Sequence, residues 1–210
     1  MRRKDFLCLS LLTTLGFGLG SAFAGKAPVC NVKDSYIENA AIKPHKWNRK
    51  HFRYFIAGRD TDLEKEVWDK QFSLAFDSWA AITPLSFTQV DKGEEYDIII
   101  TTSSRRKEKF GRSGGVLAWA QLPPSPKFDG TLLSKFDNAE NWVLPERYEY
   151  GTVLLSVAAH EIGHLLGLGH SDDRNALMYP YINNALEPRK DDIKRIQKLY
   201  GDNNEKRKIL

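Results

Sequence analysis

Residues 160–170 read HEIGHLLGLGH, and no other stretch of the chain restricts its fold and chemistry so tightly. His160 and His164 are four apart, so on a helix they project from one face about 6 Å apart along the axis. A tetrahedral zinc with bonds of roughly 2.0–2.1 Å bridges such a pair. Gly167 can take the positive φ that ends a helix sharply, turning the chain so that His170 arrives as a third ligand. Three protein ligands leave the fourth position to water, the arrangement of a catalytic rather than a structural zinc. Glu161 follows the first ligand on a helix face from which it reaches that water as general base. The competing reading is an apolar core helix with its polar residues satisfied locally. Three of the chain's five histidines falling in this one stretch weighs against it.

Downstream, Met178 sits in ALMYP, and the pattern H-E-x-x-H-x-x-G-x-x-H followed by a methionine turn is the metzincin signature. Met178 is expected to form a packed floor under the zinc rather than to ligate it; a plain core methionine is the alternative. Within the metzincins the chain resembles the matrixins, the matrix metalloproteinase family. Ser171 directly after the third histidine, the run SVAAHEIGHLLGLGHSDDRNALMYP and the closing DDIKRIQKLYG carry that resemblance. KWNRKHFRYFI, AFDSWAAITPLSFTQV and GGVLAWAQLP extend it upstream, so that it covers roughly Cys30 to Gly201.

The resemblance implies a secreted zinc endopeptidase with protein or peptide substrates. It expects a metzincin-like α/β fold, with a twisted mixed sheet packed on helices, a zinc-binding helix and a C-terminal helix. Gly115, Val116, Leu117 and Ala118 would lie on an edge strand that pairs with extended substrate, although an ordinary sheet strand reads the same way. Ser156, Pro180 and Ile182 would line an apolar pocket for the residue after the scissile bond. No hemopexin-like domain is expected. Matrixins also hold a second, structural zinc, but Trp119 and Lys135 stand where the family has histidines, so a single zinc is expected. Asp137 and Glu140 align with a family calcium pair. Gly111 replaces a further carboxylate there, with Arg112 beside it, so calcium is disfavoured. Solvated surface acids, pairing with nearby arginines, are expected instead.

The N-terminus carries Arg2, Arg3 and Lys4, then an apolar run, then an A-x-A-like Ala22-Phe23-Ala24. That is the form of a signal peptide over residues 1–24, with an uncleaved anchor as the runner-up. Its removal takes away three basic residues and one acid, lowering the formal charge from +4 to +2. No basic stripe interleaved with aromatics points to nucleic acid. A monomer without a stable membrane anchor is expected. Residues 25–45 read as a short pro-segment, 46–202 as the catalytic domain and 203–210 as a charged tail. In the pro-segment, Cys30 stands in PVCNVKD, which resembles the matrixin cysteine switch PRCGVPD, with Val29 and Asn31 replacing arginine and glycine. A thiolate of that kind would block the open zinc position and keep a zymogen latent. An exposed thiol on an unstructured N-terminus, or an intermolecular disulfide, remains the alternative.

Periodicity predicts strands at 51–56, 85–90, 96–101 and 115–122, and helices over 62–81, 152–166 and 190–200. Residues 123–149 read as a long irregular region. Two other classes compete with the peptidase. One is a zinc-containing binding module that has lost catalysis, against which the retained Glu161 argues. The other is a zinc hydrolase of non-peptide bonds, against which the edge strand and the segment from Ser171 to Met178 argue.

Overall fold

The computed structural model describes residues 45–60, 62–104, 110 and 114–203. The signal, the pro-segment up to residue 44 with Cys30, Gly111, Arg112 and nearly all of the charged tail lie outside them. Five strands form one sheet in the order β2-β1-β3-β5-β4, comprising β1 (His51–Ile56), β2 (Ser86–Gln89), β3 (Ile98–Ser103), β4 (Ala118–Ala120) and β5 (Leu132–Asp137). The pairs β1–β2, β1–β3 and β3–β5 are parallel, and only β4 runs antiparallel, at one edge. A separate parallel pair joins β6 (Trp142–Val143) to β7 (Thr152–Val153). Three α-helices complete the described residues, α1 (Lys65–Ala80), α2 (Leu154–Leu165) and α3 (Lys190–Tyr200). This is the mixed sheet packed on helices that the sequence predicts.

Helix α1 forms because Trp68, Phe72, Ala75, Phe76 and Trp79 recur at helical spacing and make one apolar stripe. That stripe covers the sheet, with Phe76 stacked on Tyr54 of β1 at 4.1 Å and Phe72 edge-on to Phe136 of β5 at 5.1 Å. Each such buried aromatic contributes about 1.5–3 kcal/mol relative to exposure. Helix α2 packs on α1, where Trp79 Nε1 donates to the Ala159 carbonyl at 2.9 Å. The zinc-motif helix therefore rests on a rigid aromatic floor.

The structure corrects the irregular region. Residues 132–137 are the strand β5, inserted between β3 and β4 with Ile98 opposite Leu132 and Ser103 opposite Asp137. Its pattern is hard to recognise because a polar Ser134 takes an inward position. That hydroxyl is satisfied by the Trp119 carbonyl at 3.1 Å, so its burial carries little penalty. The predicted strand at 115–122 shrinks to Ala118–Ala120. Helix α1 starts at Lys65 rather than 62, and Thr152–Val153 pair as β7 before α2 begins.

The segment just before β1 is held from two sides. Asn48 N donates to the Phe128 carbonyl at 3.0 Å, and Phe128 N donates to the Lys46 carbonyl at 3.2 Å. On the other side, Lys46 Nζ donates to the Leu199 carbonyl at 2.7 Å, at the end of α3. Arg49 reaches both the buried Asp97 and the exposed Asp129, closing the same segment onto the sheet.

Candidate metal centre

Helix α2 places His160, Glu161 and His164 in the buried interior, and its C-terminus turns to bring in His170. Gly167 sits at φ +100°, and the turn is a Schellman motif. Gly167 N donates to the His164 carbonyl at 2.8 Å and Leu168 N to the Gly163 carbonyl at 2.9 Å. Two further carbonyls at this end are met by side chains from distant elements. Trp47 Nε1 donates to Leu165 O at 2.7 Å and Tyr200 Oη to Leu166 O at 2.9 Å. The four orphan acceptors that a helix end leaves are thus accounted for.

The ligand atoms of His160, His164 and His170 all lie within 4.8 Å of one another. His160 Nδ1 faces the Leu177 carbonyl at 2.7 Å, and His164 Nδ1 faces the Leu168 carbonyl at 2.6 Å. A carbonyl only accepts, so both Nδ1 atoms carry the proton and both Nε2 atoms present lone pairs. Those two Nε2 atoms face each other at 3.0 Å, and the buried His170 Nε2 has no hydrogen-bond partner. Two facing lone pairs with no proton between them, beside a third buried imidazole nitrogen without a partner, call for a cation. The edge of a zinc tetrahedron is roughly 3.3 Å for bonds of about 2.0–2.1 Å, close to the spacing of the first pair. The donor set fits zinc.

Burial keeps these imidazoles neutral, the state a metal requires. It lowers His160 to about 3, helped by the neighbouring His170, and holds His164 well below its ordinary value. Burial and then the Arg195 charge lower His170 to about 4. Unfolded histidines titrate near 6.5, so between about 6.5 and 3 the unfolded chain binds protons that the zinc-free fold does not. Stability of the zinc-free protein is therefore full above about pH 6.5 and falls on acidification. Its melting temperature is expected to be lower at pH 5 than at pH 7, and equal values at the two would contradict this account.

The segment carrying Met178 packs against α2. Met178 is fully buried, and a Cβ added to Gly163 would come within 2.3 Å of its sulfur. A larger residue there would have to displace the Met178 thioether and would press on the Trp79 ring at 2.9 Å. The turn itself hangs on a residue that the sequence reading did not single out. Buried Asp192 accepts from Leu177 N at 2.7 Å, Met178 N at 3.0 Å and Arg189 N at 2.8 Å. Its position in the first turn of α3 was the available signal, since an acid there accepts the N-cap amide. Asp192→Ala leaves buried donors unmet and should cost about 2–4 kcal/mol in urea unfolding, well beyond a surface substitution.

The other predicted residues fall as follows. Leu117 and Ala118 are buried, Gly115 and Val116 half-buried, and β4 occupies an edge of the sheet. Ser156 is buried on α2, while Pro180 and Ile182 are half-buried beyond the methionine turn. Trp119 and Lys135 are cross-strand partners, with the ammonium 5.6 Å from the indole centroid, a cation–π arrangement. One expectation is overturned: Asp137 and Glu140 are not solvated surface acids but buried. Asp137 closes strand β5 and accepts from Ala139 N at 3.0 Å, and the Glu140 carboxylate accepts from Gly114 N at 2.9 Å. Backbone amides of this loop thus compensate for the lost water.

Residues 46–201 match the family model described as matrixin. The chain is 38% identical to stromelysin-1 of Equus caballus over 164 residues, covering 74% of this chain and 33% of that protein. It is 38% identical to interstitial collagenase of Sus scrofa over 183 residues, 84% of this chain and 37% of that protein. Against matrix metalloproteinase-C of Caenorhabditis elegans the identity is 34% over 189 residues, 82% and 32% of the two chains. The chain spans about a third of the length of these relatives.

Proposed function

The chain belongs to the matrixin family of zinc metallopeptidases, and from that premise we propose that it is a secreted endopeptidase with Glu161 as general base. The observation that carries the reading is the histidine triad, with two Nε2 lone pairs 3.0 Å apart and a third buried and unpaired. Bound there, zinc would act as a Lewis acid and lower the pKa of a water toward about 7. Glu161 takes the proton of the attacking water and passes it to the leaving amine. An extended peptide pairs with the outer edge of β4 through its backbone, giving affinity with little sequence demand. Ser156, Pro180 and Ile182 line the pocket for the residue after the cut, and an apolar side chain suits it.

The same reading assigns residues 1–24 to an export signal, 25–45 to a pro-segment latched by Cys30, 46–202 to the catalytic domain and 203–210 to a tail. No helix among the described residues is long and apolar enough to cross a membrane. The enzyme acts as a monomer on protein or peptide substrates, with one zinc and no nucleic acid partner.

The test is cleavage of a diverse peptide library by zinc-loaded protein starting at Gly25, with Glu161→Ala as the blank. Cuts absent from the blank support the peptidase, and an apolar preference after the cut supports the pocket. A folded, zinc-bound protein that cuts nothing even with Cys30→Ser would replace this reading with a zinc-containing binding module.

A further inference from the structure

The three histidines are not held alike. Each ring on α2 is oriented by its own Nδ1 donating to a carbonyl. No protein hydrogen bond reaches the His170 ring among the described residues, and its Nε2 is buried without a partner. At the preceding residue, half-buried Gly169, the side on which a Cβ would stand is open, with nothing within 4 Å. Something else must fix this turn if the third ligand is to stay on the zinc.

The residues on both sides of His170 are tied to one face of α3. Arg195 Nη2 donates to the Gly169 carbonyl at 2.8 Å. Ser171 Oγ donates to Asp191 Oδ2 at 2.7 Å, and Arg195 Nη1 lies 3.6 Å from that same oxygen. Asp191 and Arg195 are four apart on the helix, so their side chains meet. One arm of the planar guanidinium thus donates to the turn while the other stands at ion-pair distance from Asp191 without a hydrogen bond of its own, a fixed geometry that a flexible ammonium does not reproduce. A second tie, Ser171 N to the Met178 carbonyl at 2.8 Å, joins the clamp to the methionine turn.

We propose that Arg195, acting with Asp191, is a positioning residue: it holds the turn bearing His170 and thereby sets how tightly the site keeps its zinc. The inference rests on the three histidines being the zinc site. Ligand-supporting residues of this kind are worth about 10–100-fold in metal affinity.

The experiment measures zinc affinity of the full chain by chelator competition, together with the visible spectrum of the cobalt(II)-substituted protein. Arg195→Ala is expected to bind zinc about tenfold or more weakly, with an altered cobalt spectrum. Arg195→Lys should fall between it and the unaltered chain, and Ser171→Ala should lose affinity in the same direction. Gln197→Ala is the control. It removes a different anchor of α3, the 2.9 Å bond to the Ile82 carbonyl, and should leave both readouts unchanged. Arg195→Ala within twofold of the unaltered chain, or an equal loss in Gln197→Ala, overturns the clamp. If Arg195→Ala does not fold, Arg195→Lys and Ser171→Ala decide by the same measure. An unaltered chain that takes up no zinc overturns the site itself. One that binds zinc and cuts peptides while Arg195→Ala matches it overturns the clamp alone.

Discussion

Glu161→Gln is expected to lower kcat/KM for peptide hydrolysis by about 10²–10⁴-fold while zinc content stays unchanged. The substitution is nearly isosteric in a fully buried position, so packing is preserved. On the proposed mechanism, what disappears is the group that takes a proton from water and returns it to the amine. Neither the triad nor its carbonyl partners include this side chain. Zinc per protein and kcat/KM measured on the same preparation separate the two effects. Loss of zinc together with activity would make Glu161 a structural support of the site. Full activity would give the proton transfer to another group.

Gly167→Ala should be among the most damaging single changes in the chain. A Cβ there would stand 2.1 Å from the His45 carbonyl oxygen, a backbone atom that cannot swing aside. The residue also sits at φ +100°, which L side chains rarely adopt. Strain and overpacking each cost about 1–3 kcal/mol, so together about 2–6 kcal/mol is lost. That is a large fraction of the roughly 5–15 kcal/mol that stabilises an ordinary domain. Denaturant unfolding of the zinc-free protein measures it, and a midpoint like that of the unaltered chain would contradict the close approach.

The histidine triad was legible because all three residues lie within one helix and the turn that ends it. Local geometry alone decides whether such residues converge. Gly167 was legible for the same reason, since a positive φ is a property of one residue. Strand β5 was not, because Ser134 and Lys135 interrupt its apolar pattern and its strand character comes from neighbours on both sides. The burial of Asp137 and Glu140 was hidden too, being set by amides of a loop that closes only in the fold. Only the local half of Asp192's role, its bond to the Arg189 amide at the start of α3, was open to sequence reasoning. Its bonds to the methionine turn, and that of Arg195 to the Gly169 carbonyl, join positions 14 to 26 apart that nothing local marks.

The contact of Lys46 with the Leu199 carbonyl, and of Trp47 N with the Tyr200 hydroxyl, places the two extremities of the folded domain side by side. A short peptide linking Gly201 back to His45 therefore has little distance to cover, and new ends can be opened at the exposed turn around Gly93. Such a circularly permuted chain would keep every strand pairing and the whole triad while reversing which half emerges first from the ribosome. Modules joined directly at His45 and at Gly201 would depart from the same pole, as neighbours rather than opposites.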